Sequence, residues 1–196
     1  MAEVKILVKG YVYEQDGKMF GSSTVVLIKD NGKNIIVDPG MNRKLLTNAL
    51  LTESLKIDDI DYVVLTHYHL DHSLLSSIFE NAKILDNSII YSFDSSMQEH
   101  VGKIPDTDVK IMNTPGHDQF HCAIIAETLD FGTVAMAGDV FWWTDEQEKK
   151  TDKQSLINLK DPYVKDPVAL RKSREKLLET ANYIISGHGP MFKVEE

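Results

Sequence analysis

The chain has one cysteine, no long apolar run and fewer positive than negative charges, and each shortage limits what the protein can be. Cys122 is the only cysteine in 196 residues, so an internal disulfide is excluded. No apolar stretch approaches the roughly 20 residues that a membrane-spanning helix requires. The first residues, MAEVKILVKG, hold too short an apolar run for a secretory signal. We therefore expect a cytoplasmic protein without a membrane partner.

The acidic balance also restricts the class of ligand. The chain carries 21 Lys and Arg against 30 Asp and Glu, a formal net charge of −9 at pH 7. Such a surface repels phosphate backbones, so we expect a small-molecule substrate rather than a nucleic acid. Bound divalent cations would reverse the field locally, so phosphoester chemistry stays open. The oligomeric state stays open as well, with a homodimer as one alternative.

The length and the 42% hydrophobic composition suit one globular domain over residues 1–196. Runs rich in β-branched residues predict strands at 3–9, 23–29, 34–38, 62–66, 83–86, 89–93, 109–113, 121–126, 132–137 and 182–186. Leucines at helical spacing predict helices from about Leu45 to Leu55, at about 72–80 and at about 167–180. The alternation of strands and helices in both halves favours two sheets with helices on their outer faces. The polar stretch 144–155 is predicted to be a surface loop or an exposed helical turn.

The most informative motif directly follows the predicted strand 62–66. It reads His67-Tyr68-His69-Leu70-Asp71-His72 and places four metal-capable side chains within six residues. Residues i and i+2 of an extended segment point the same way, so His67 and His69 can share one ion. Asp71 and His72, at the turn into the next helix, can then face a second ion.

Three further candidate ligands lie downstream, each beside a glycine. They are His117 in Thr-Pro-Gly-His, Asp139 in Ala-Gly-Asp and His188 in Gly-His-Gly-Pro. Asp139 and His188, like His67, follow apolar strand-like runs, and ligands in open sheets cluster where strands end. We therefore expect these side chains to converge on one edge of the fold.

Imidazole and carboxylate ligands without cysteine favour catalytic zinc, manganese or iron over a structural zinc site. His117 would complete a set of three histidines, and His188 would complete the second set. Asp139 is suited to bridge, because one carboxylate can offer an oxygen to each ion. Two such ions about 3.5–4 Å apart can hold a hydroxide between them and polarise the group that it attacks.

Four residues outside this set are also candidates. Asp38, in Asp-Pro-Gly, is expected either to accept a hydrogen bond from a ligand imidazole or to serve only as a turn residue. Trp142 and Trp143 follow Asp139 closely, and one of them can wall a substrate pocket while the other packs inside. His121 is a further candidate for the pocket, although a structural role on a strand is favoured.

These motifs together resemble the metallo-β-lactamase superfamily, whose hallmark matches H-x-H-x-D-H, T-P-G-H, G-D and G-H-G-P as they stand here. The resemblance runs over nearly the whole chain. It implies an αββα four-layer sandwich, with two mixed β-sheets flanked by helices. It implies one metal site of His67, His69 and His117, a second of Asp71, His72 and His188, and a bridging Asp139. The C-terminal half is most similar to the subfamily of metallo-β-lactamase domain-containing protein 1 and its small prokaryotic relatives.

The sequence thus predicts a hydrolase with two zinc ions, with manganese or iron as alternatives. A bridging hydroxide would cleave an ester, thioester, lactone or phosphodiester bond, and Asp71 would orient the nucleophile or carry a proton. Asp139 stands where dinuclear β-lactamases usually have a cysteine, so antibiotic hydrolysis is not the expected role. The alternatives are a mononuclear iron enzyme resembling persulfide dioxygenases, a phosphodiesterase or ribonuclease, and a non-catalytic metal-binding module.

Overall fold

The computed structural model describes residues 1–195, which contain fourteen strands and four α-helices. The strands are β1 (Glu3–Val8), β2 (Tyr11–Gln15), β3 (Lys18–Ser22), β4 (Val25–Asp30), β5 (Lys33–Val37), β6 (Tyr62–Val64), β7 (Lys83–Leu85), β8 (Ile89–Tyr91), β9 (Met97–Glu99), β10 (Lys110–Asn113), β11 (Cys122–Thr128), β12 (Gly132–Met136), β13 (Tyr183–Ile185) and β14 (Met191–Lys193). The helices are α1 (Arg43–Thr52), α2 (Leu70–Ser73), α3 (Lys153–Ile157) and α4 (Pro167–Thr180). Short 3₁₀ turns occupy Ile57–Asp59, Leu74–Ile78 and Gly138–Val140.

The strands form two large mixed sheets and one separate hairpin. The first sheet has seven strands in the order β1-β4-β5-β6-β7-β8-β9, and the second has five in the order β10-β11-β12-β13-β14. Strands β2 and β3 pair only with each other. The pairs β5–β6, β6–β7 and β12–β13 are parallel, and the remaining pairs are antiparallel.

Alternating side chains along the strands create the layers. On β4, Val26 and Ile28 enter the core between the two sheets, whereas Val25 and Leu27 enter a second core on the outer face. On β12, Val134 faces the core between the sheets, and its neighbour Ala135 faces a third core. A sheet that is apolar on both faces must be covered on both sides. The predicted αββα sandwich is therefore confirmed.

Helices α1 and α4 cover the outer faces of the two sheets, because each buries an apolar stripe there. Each of these helices begins after a capping residue. Helix α1 begins after Asn42, whose Oδ1 accepts a hydrogen bond of 3.2 Å from the backbone N–H of Leu45, and it buries Leu46 and Leu50 against the first sheet. Helix α4 begins after Asp166 and buries leucines against the second sheet. No helix within residues 1–195 is long and apolar enough to cross a membrane.

The predicted elements lie close to the observed ones, with four omissions and one difference. The omitted elements are the hairpin β2–β3, the short strands β9 and β14, and helix α3. The helix predicted at about 72–80 is instead the short α2 followed by a 3₁₀ turn. The segment 144–155 is a polar loop that leads into α3, as its composition indicates.

Strand direction places the loops that carry the candidate ligands at one edge of the two sheets. Strands β10, β12 and β13 all run in the same direction, because β12–β13 is parallel and β11 is antiparallel to both β10 and β12. The loop after β6, in the other sheet, reaches the same edge, since the backbone N–H of Cys122 donates a hydrogen bond of 2.8 Å to the carbonyl of Thr66. Four loops from two sheets therefore meet along one seam.

Candidate metal centre

All seven predicted ligand side chains lie together at this seam. Four of them, in residues 67–72, follow β6. The others are His117 after β10, Asp139 after β12 and His188 after β13. The ligand-type atoms form two groups, each within 4.8 Å, which consist of His67, His69, His117 and Asp139 and of Asp71, His72 and His188.

Asp139 lies between the two groups. Its Oδ2 is 3.8 Å from Nε2 of His67 and 3.5 Å from Nε2 of His117. Its Oδ1 is 3.2 Å from Nε2 of His72 and 3.7 Å from Nε2 of His188. One carboxylate oxygen therefore faces each group, which is the arrangement that a bridging ligand requires.

The donor set fits metal ions on geometric grounds. Zinc binds imidazole nitrogen and carboxylate oxygen at about 2.0–2.2 Å, so ligand atoms around a tetrahedral ion lie about 3.3–3.5 Å apart. The separations around Asp139 run from 3.2 to 3.8 Å. Nε2 of His188 and Oδ2 of Asp71, in the second group, are 3.0 Å apart. The histidines and carboxylates are therefore already close to ligand spacing.

Unpaired polar atoms in the interior point to the same conclusion. Nε2 of His67, Nε2 of His72 and Oδ1 of Asp139 are buried and have no hydrogen-bond partner within residues 1–195. Leaving a buried polar atom unpaired costs about 1–3 kcal/mol, so several at one point indicate a missing ligand. Metal ions coordinated by these atoms would satisfy them.

Asp38 holds the ring of His72 and the start of the motif. Its Oδ2 accepts hydrogen bonds from Nδ1 of His72 at 2.8 Å and from Oγ1 of Thr66 at 2.7 Å. Its Oδ1 accepts a bond from the Thr66 backbone N–H at 2.8 Å. Since the hydroxyl hydrogen of Thr66 is committed to Asp38, its oxygen accepts from Nδ1 of His67 at 3.0 Å. Both imidazoles therefore carry their hydrogen on Nδ1 and leave Nε2 free to bind metal.

Asp161 performs the same task for His117 and was missed by sequence reasoning. Its Oδ2 accepts a hydrogen bond of 2.7 Å from Nδ1 of His117, and its side chain is 1% exposed. Its Oδ1 accepts bonds from the backbone N–H of Tyr163 at 2.8 Å and from Nε1 of Trp142 at 3.4 Å. No motif marks this loop carboxylate, which lies 44 residues from His117 along the chain.

His121, for which the sequence favours a structural role over a place in the pocket, supports the site from beneath. It is 1% exposed and is not among the residues that line the cavity over the ligands. Its Nε2 accepts a hydrogen bond of 3.2 Å from the backbone N–H of Asp139, and its Nδ1 lies 2.9 Å from the hydroxyl of Thr114. Burial lowers the pKa of His121 to about 3. A neutral His121 therefore fixes the backbone that carries Asp139.

The electrostatics of the centre favour the metal-binding forms of Asp139 and His67 but not that of His72. Burial lowers the pKa of His72, but the negative charges of Asp139 and Asp38 outweigh burial and raise this pKa well above 6.5, so metal binding would displace a proton from this imidazole. Burial raises the pKa of Asp139, but the charges of His72 and His188 outweigh it, and the pKa of this carboxyl lies well below its ordinary value. Burial and the charge of His72 lower the pKa of His67 well below 6.5. An ionised carboxylate and a neutral imidazole are the coordinating species of these side chains.

Gly187 shows how closely the backbone approaches the centre. A Cβ atom on this residue would lie 2.1 Å from Oδ1 of Asp139 and 3.0 Å from Cε1 of His72. Any side chain at position 187 would therefore displace Asp139 from between the two groups.

A cavity of about 750 Å³ opens over the candidate ligands. His69, Asp71, Asp139 and His188 form part of its lining. Its apolar and aromatic walls come from the hairpin β2–β3, from the first residue of α2 and from two loops, and they include Tyr11, Met19, Phe20, Leu70, Trp142 and Tyr163. Arg43 is the only lysine or arginine in the lining. Sequence reasoning had identified neither the hairpin nor Arg43.

The two tryptophans have different roles. Trp142 lines the cavity and stacks on Tyr163, with ring centroids 5.8 Å apart and planes inclined by 28°. Trp143 is 2% exposed and packs on Phe192 in the core under α4, so it does not line the cavity. The prediction that one tryptophan lines the pocket while the other packs inside describes this arrangement. Trp143 was also a candidate for the pocket, and that candidate is wrong, because Trp143 lies in the core. Successive residues on an extended backbone point in opposite directions, which explains the division.

The polar loop 144–155 is anchored beside the cavity. The backbone N–H of Asp145 donates a hydrogen bond of 2.8 Å to the carbonyl of Val12 on the hairpin. The ammonium of Lys149 donates bonds of 2.9–3.0 Å to the carbonyls of Thr144, Asp145 and Gln147. These bonds fold the first part of the loop against the hairpin wall.

Comparison with known families agrees with the geometry. Residues 19–84 match the family model described as the metallo-beta-lactamase superfamily. The chain is 32% identical over 171 residues to metallo-beta-lactamase domain-containing protein 1 of Mus musculus, covering 82% of this chain and 61% of that protein. Across the worm, frog and rodent relatives, the chain spans 49% to 81% of the relative's own length.

Solved structures share the fold at lower identity. A Thermotoga maritima crystal structure described as belonging with the metallo-beta-lactamases superposes with a TM-score of 0.71 at 23% identity, covering 98% of this chain and 99% of that one. A dizinc quorum-quenching lactonase, AidC, in complex with a product, superposes with a TM-score of 0.65 at 15% identity, covering 90% and 76% of the two chains. At these identities, the likeness concerns the fold.

Proposed function

The chain belongs to the metallo-β-lactamase superfamily, and on this premise we propose that it is a metal-dependent hydrolase with a dinuclear zinc centre. The bond that it cleaves is an ester, thioester or lactone bond of a small molecule. The observation that supports this proposal most strongly is the position of Asp139 at the floor of an open, largely apolar cavity. One of its carboxylate oxygens faces the first ligand group, and the other oxygen faces the second group.

The proposed centre needs both groups of ligands. His67, His69 and His117 would hold one ion, and Asp71, His72 and His188 would hold the other. Asp139 would serve both, because its two oxygens face different groups. When bound, two such ions lower the pKa of a water molecule between them and polarise the scissile carbonyl group. The chain contributes the rigid placement of these ligands, since Asp38 and Asp161 fix the imidazole rings.

Asp71 has a second proposed role in proton transfer. Its side chain is 30% exposed and lines the cavity, whereas the side chain of Asp139 is 7% exposed. Oδ2 of Asp71 lies 3.0 Å from Nε2 of His188, and the carboxylate lines the cavity that the substrate would occupy. Asp71 therefore takes the proton from the attacking water on a carboxylate oxygen and passes it to the leaving group.

The cavity walls favour an acyl substrate over a phosphodiester. A phosphodiester carries negative charge along its backbone, and sites that bind it usually offer several cations. Here a single cation, Arg43, accompanies aromatic and aliphatic walls in a chain of net charge −9. An apolar acyl group that packs on the hairpin and on Trp142 suits this lining better. The AidC likeness is compatible with a lactone, one of the three bond types.

The first test is the metal content of protein purified without added metal, measured by elemental mass spectrometry. We expect about two zinc ions per chain, because the ligands form two groups. One iron per chain, with oxygen uptake on thiol persulfides, would instead identify a mononuclear dioxygenase. Failure to bind metal on reconstitution would refute the ligand assignment.

The second test compares hydrolysis of aryl esters, thioesters, lactones and bis(p-nitrophenyl) phosphate. We expect activity on the acyl substrates, and we expect Asp139→Asn to abolish it. Asp130→Asn is the matched control, because it makes the same change in an exposed turn between β11 and β12. Turnover confined to the phosphodiester would overturn the proposed bond type.

A further inference from the structure

A second cavity of about 700 Å³ lies next to the first and shares Trp142 as a wall. We call it the rear groove and define it by Asn158, Lys160, Arg171 and Arg174, which line it together with Trp142. It is formed by residues of the polar loop 144–155, by the end of α3, by the loop before α4 and by the first half of α4. Its walls include Asp161 and Trp142, but the proposed hydrolysis uses none of its three cations.

Arg174 is the unusual residue of the rear groove. It is 3% exposed, and its guanidinium donates hydrogen bonds to the carbonyls of Val140 at 2.9 Å, Leu159 at 2.6 Å and Ile157 at 3.3 Å. Its Nη2 is buried and has no hydrogen-bond partner within residues 1–195. Arg174 forms no ion pair with the described carboxylates, and burial lowers the pKa of its guanidinium to about 10. Buried charges in proteins are usually paired, whereas Asp161, whose charge acts on this cation, forms no ion pair with it and is hydrogen-bonded to His117.

The charges around Arg174 are also unbalanced. Lys160 and Arg171 add two cations to the lining. The only carboxylate in the lining is Asp161, and its oxygens already accept bonds from His117, Trp142 and Tyr163. Arg171 pairs with Glu175 at 3.1 Å, but both side chains are about half exposed, so this pair holds little energy. In a chain of net charge −9, a groove with three cations is a local reversal of the field.

We propose that the rear groove is a binding site for an oxyanion, a phosphate or carboxylate group that serves as counter-ion to Arg174, Lys160 and Arg171. The group is either a free anion or the anionic end of a substrate that passes Trp142 from the metal cavity, since Trp142 lines both cavities. Guanidinium groups suit this ligand because their planar N–H donors match the oxygens of carboxylate and phosphate.

The test is isothermal titration of the metal-loaded protein with inorganic phosphate. Arg174 is left intact because its three bonds to backbone carbonyls support the fold. The test variant is the double substitution Lys160→Ala and Arg171→Ala, and both of these side chains are exposed. We expect its phosphate affinity to fall by about tenfold or more, because two of the three cations are removed.

The matched control is Lys160→Ala with Lys172→Ala. Lys172 is the exposed neighbour of Arg171 on α4 and does not line the groove, so the total charge lost is the same. We expect this control to retain more affinity than the test variant. Equal phosphate binding by the wild type and both variants would assign all binding to the metal centre and would overturn the proposal. Equal weakening in both variants would show that Arg171 takes no part in the site and would overturn the three-cation site.

A kinetic measurement separates the two sources of the anion. Phosphate that raises KM for a phosphate-bearing ester, but not for a neutral ester, identifies the groove as the site for the substrate's anionic end. Phosphate that binds in the titration and changes neither KM identifies a site for a free anion. The titration does not depend on turnover, so failure of the proposed hydrolysis would leave it interpretable.

Discussion

Replacement of Asp161 by asparagine should weaken metal binding at the first group of ligands. Asp161 is not a predicted ligand, but its Oδ2 accepts the 2.7 Å hydrogen bond that orients His117. The asparagine has the same shape, and its amide oxygen can accept the bond from His117 without the negative charge. Its NH2 group then stands where Oδ1 accepts from Tyr163 and Trp142, so the substitution removes the charge and these two bonds while it keeps an acceptor for His117.

The expected magnitude follows from the character of that hydrogen bond. A bond to a charged acceptor is worth about 1.5–3 kcal/mol, and one between neutral groups about 0.5–1.5 kcal/mol. The midpoints of these ranges differ by about 1.25 kcal/mol, which corresponds to a roughly eightfold weaker affinity. Asp161→Ala also removes the acceptor for His117 itself, so its loss should approach the upper end of the roughly 10- to 100-fold range for such partners.

The assay is competition for zinc against a fluorescent chelator of known affinity. Asp166→Asn is the control, because it removes the same charge from the same loop while asparagine remains a good helix N-cap. We expect Asp166→Asn to bind zinc like the wild type. An unchanged zinc affinity in Asp161→Asn would refute the argument that this carboxylate supports the centre.

Three further predictions concern the backbone beside the centre, the stability of the metal-loaded state and the buried thiol. Gly187→Ala should abolish metal binding, because its Cβ would meet Oδ1 of Asp139 at 2.1 Å, whereas Gly21→Ala, with its nearest contact at 3.7 Å, should retain the metal in elemental analysis. Removal of metal with a chelator should lower Tm in calorimetry by about 10 °C, because a ligand present at a thousand times its Kd stabilises by about 4 kcal/mol; an unchanged Tm would contradict a metal-stabilised fold. Burial raises the pKa of the Cys122 thiol well above 9.0, so at pH 8 it should react with a disulfide reagent only after unfolding; rapid reaction of the native protein would show that this strand opens readily.

Most of the fold could be predicted from the sequence because its central strands are apolar and β-branched. The segment 23–29, for example, was predicted one to two residues from the observed β4, Val25–Asp30. The hairpin β2–β3 was missed because its side chains, apart from that of Ser22, are half-buried or exposed, so alternation gives a weak signal. The segment after Leu74 was predicted as a helix from its apolar residues. It forms a 3₁₀ turn in which Leu74 itself is 46% exposed.

The candidate ligands could be identified because their residue types and spacing are rare, whereas their supports could not. The segment 67–72 contains four of the candidate ligands, so this motif can be recognised from six consecutive residues. Asp161 can be recognised only when the fold brings the loop 158–166 against His117, since an aspartate before a proline is otherwise an ordinary loop residue. The sequence allows Asp38 either to accept a hydrogen bond from a ligand imidazole or to serve only as a turn residue. The hydrogen bond to His72 shows that it contacts a candidate ligand.

The division of the ligands between two sheets has a consequence for how the protein acquires its metal. Residues 67–72 are synthesised well before His188, and they supply only part of each group. A nascent chain therefore holds incomplete sets of candidate ligands, and we expect these to bind any cation only weakly. His117, Asp139 and His188 all follow strands of the second sheet, so we expect complete metal binding only after both sheets have folded together.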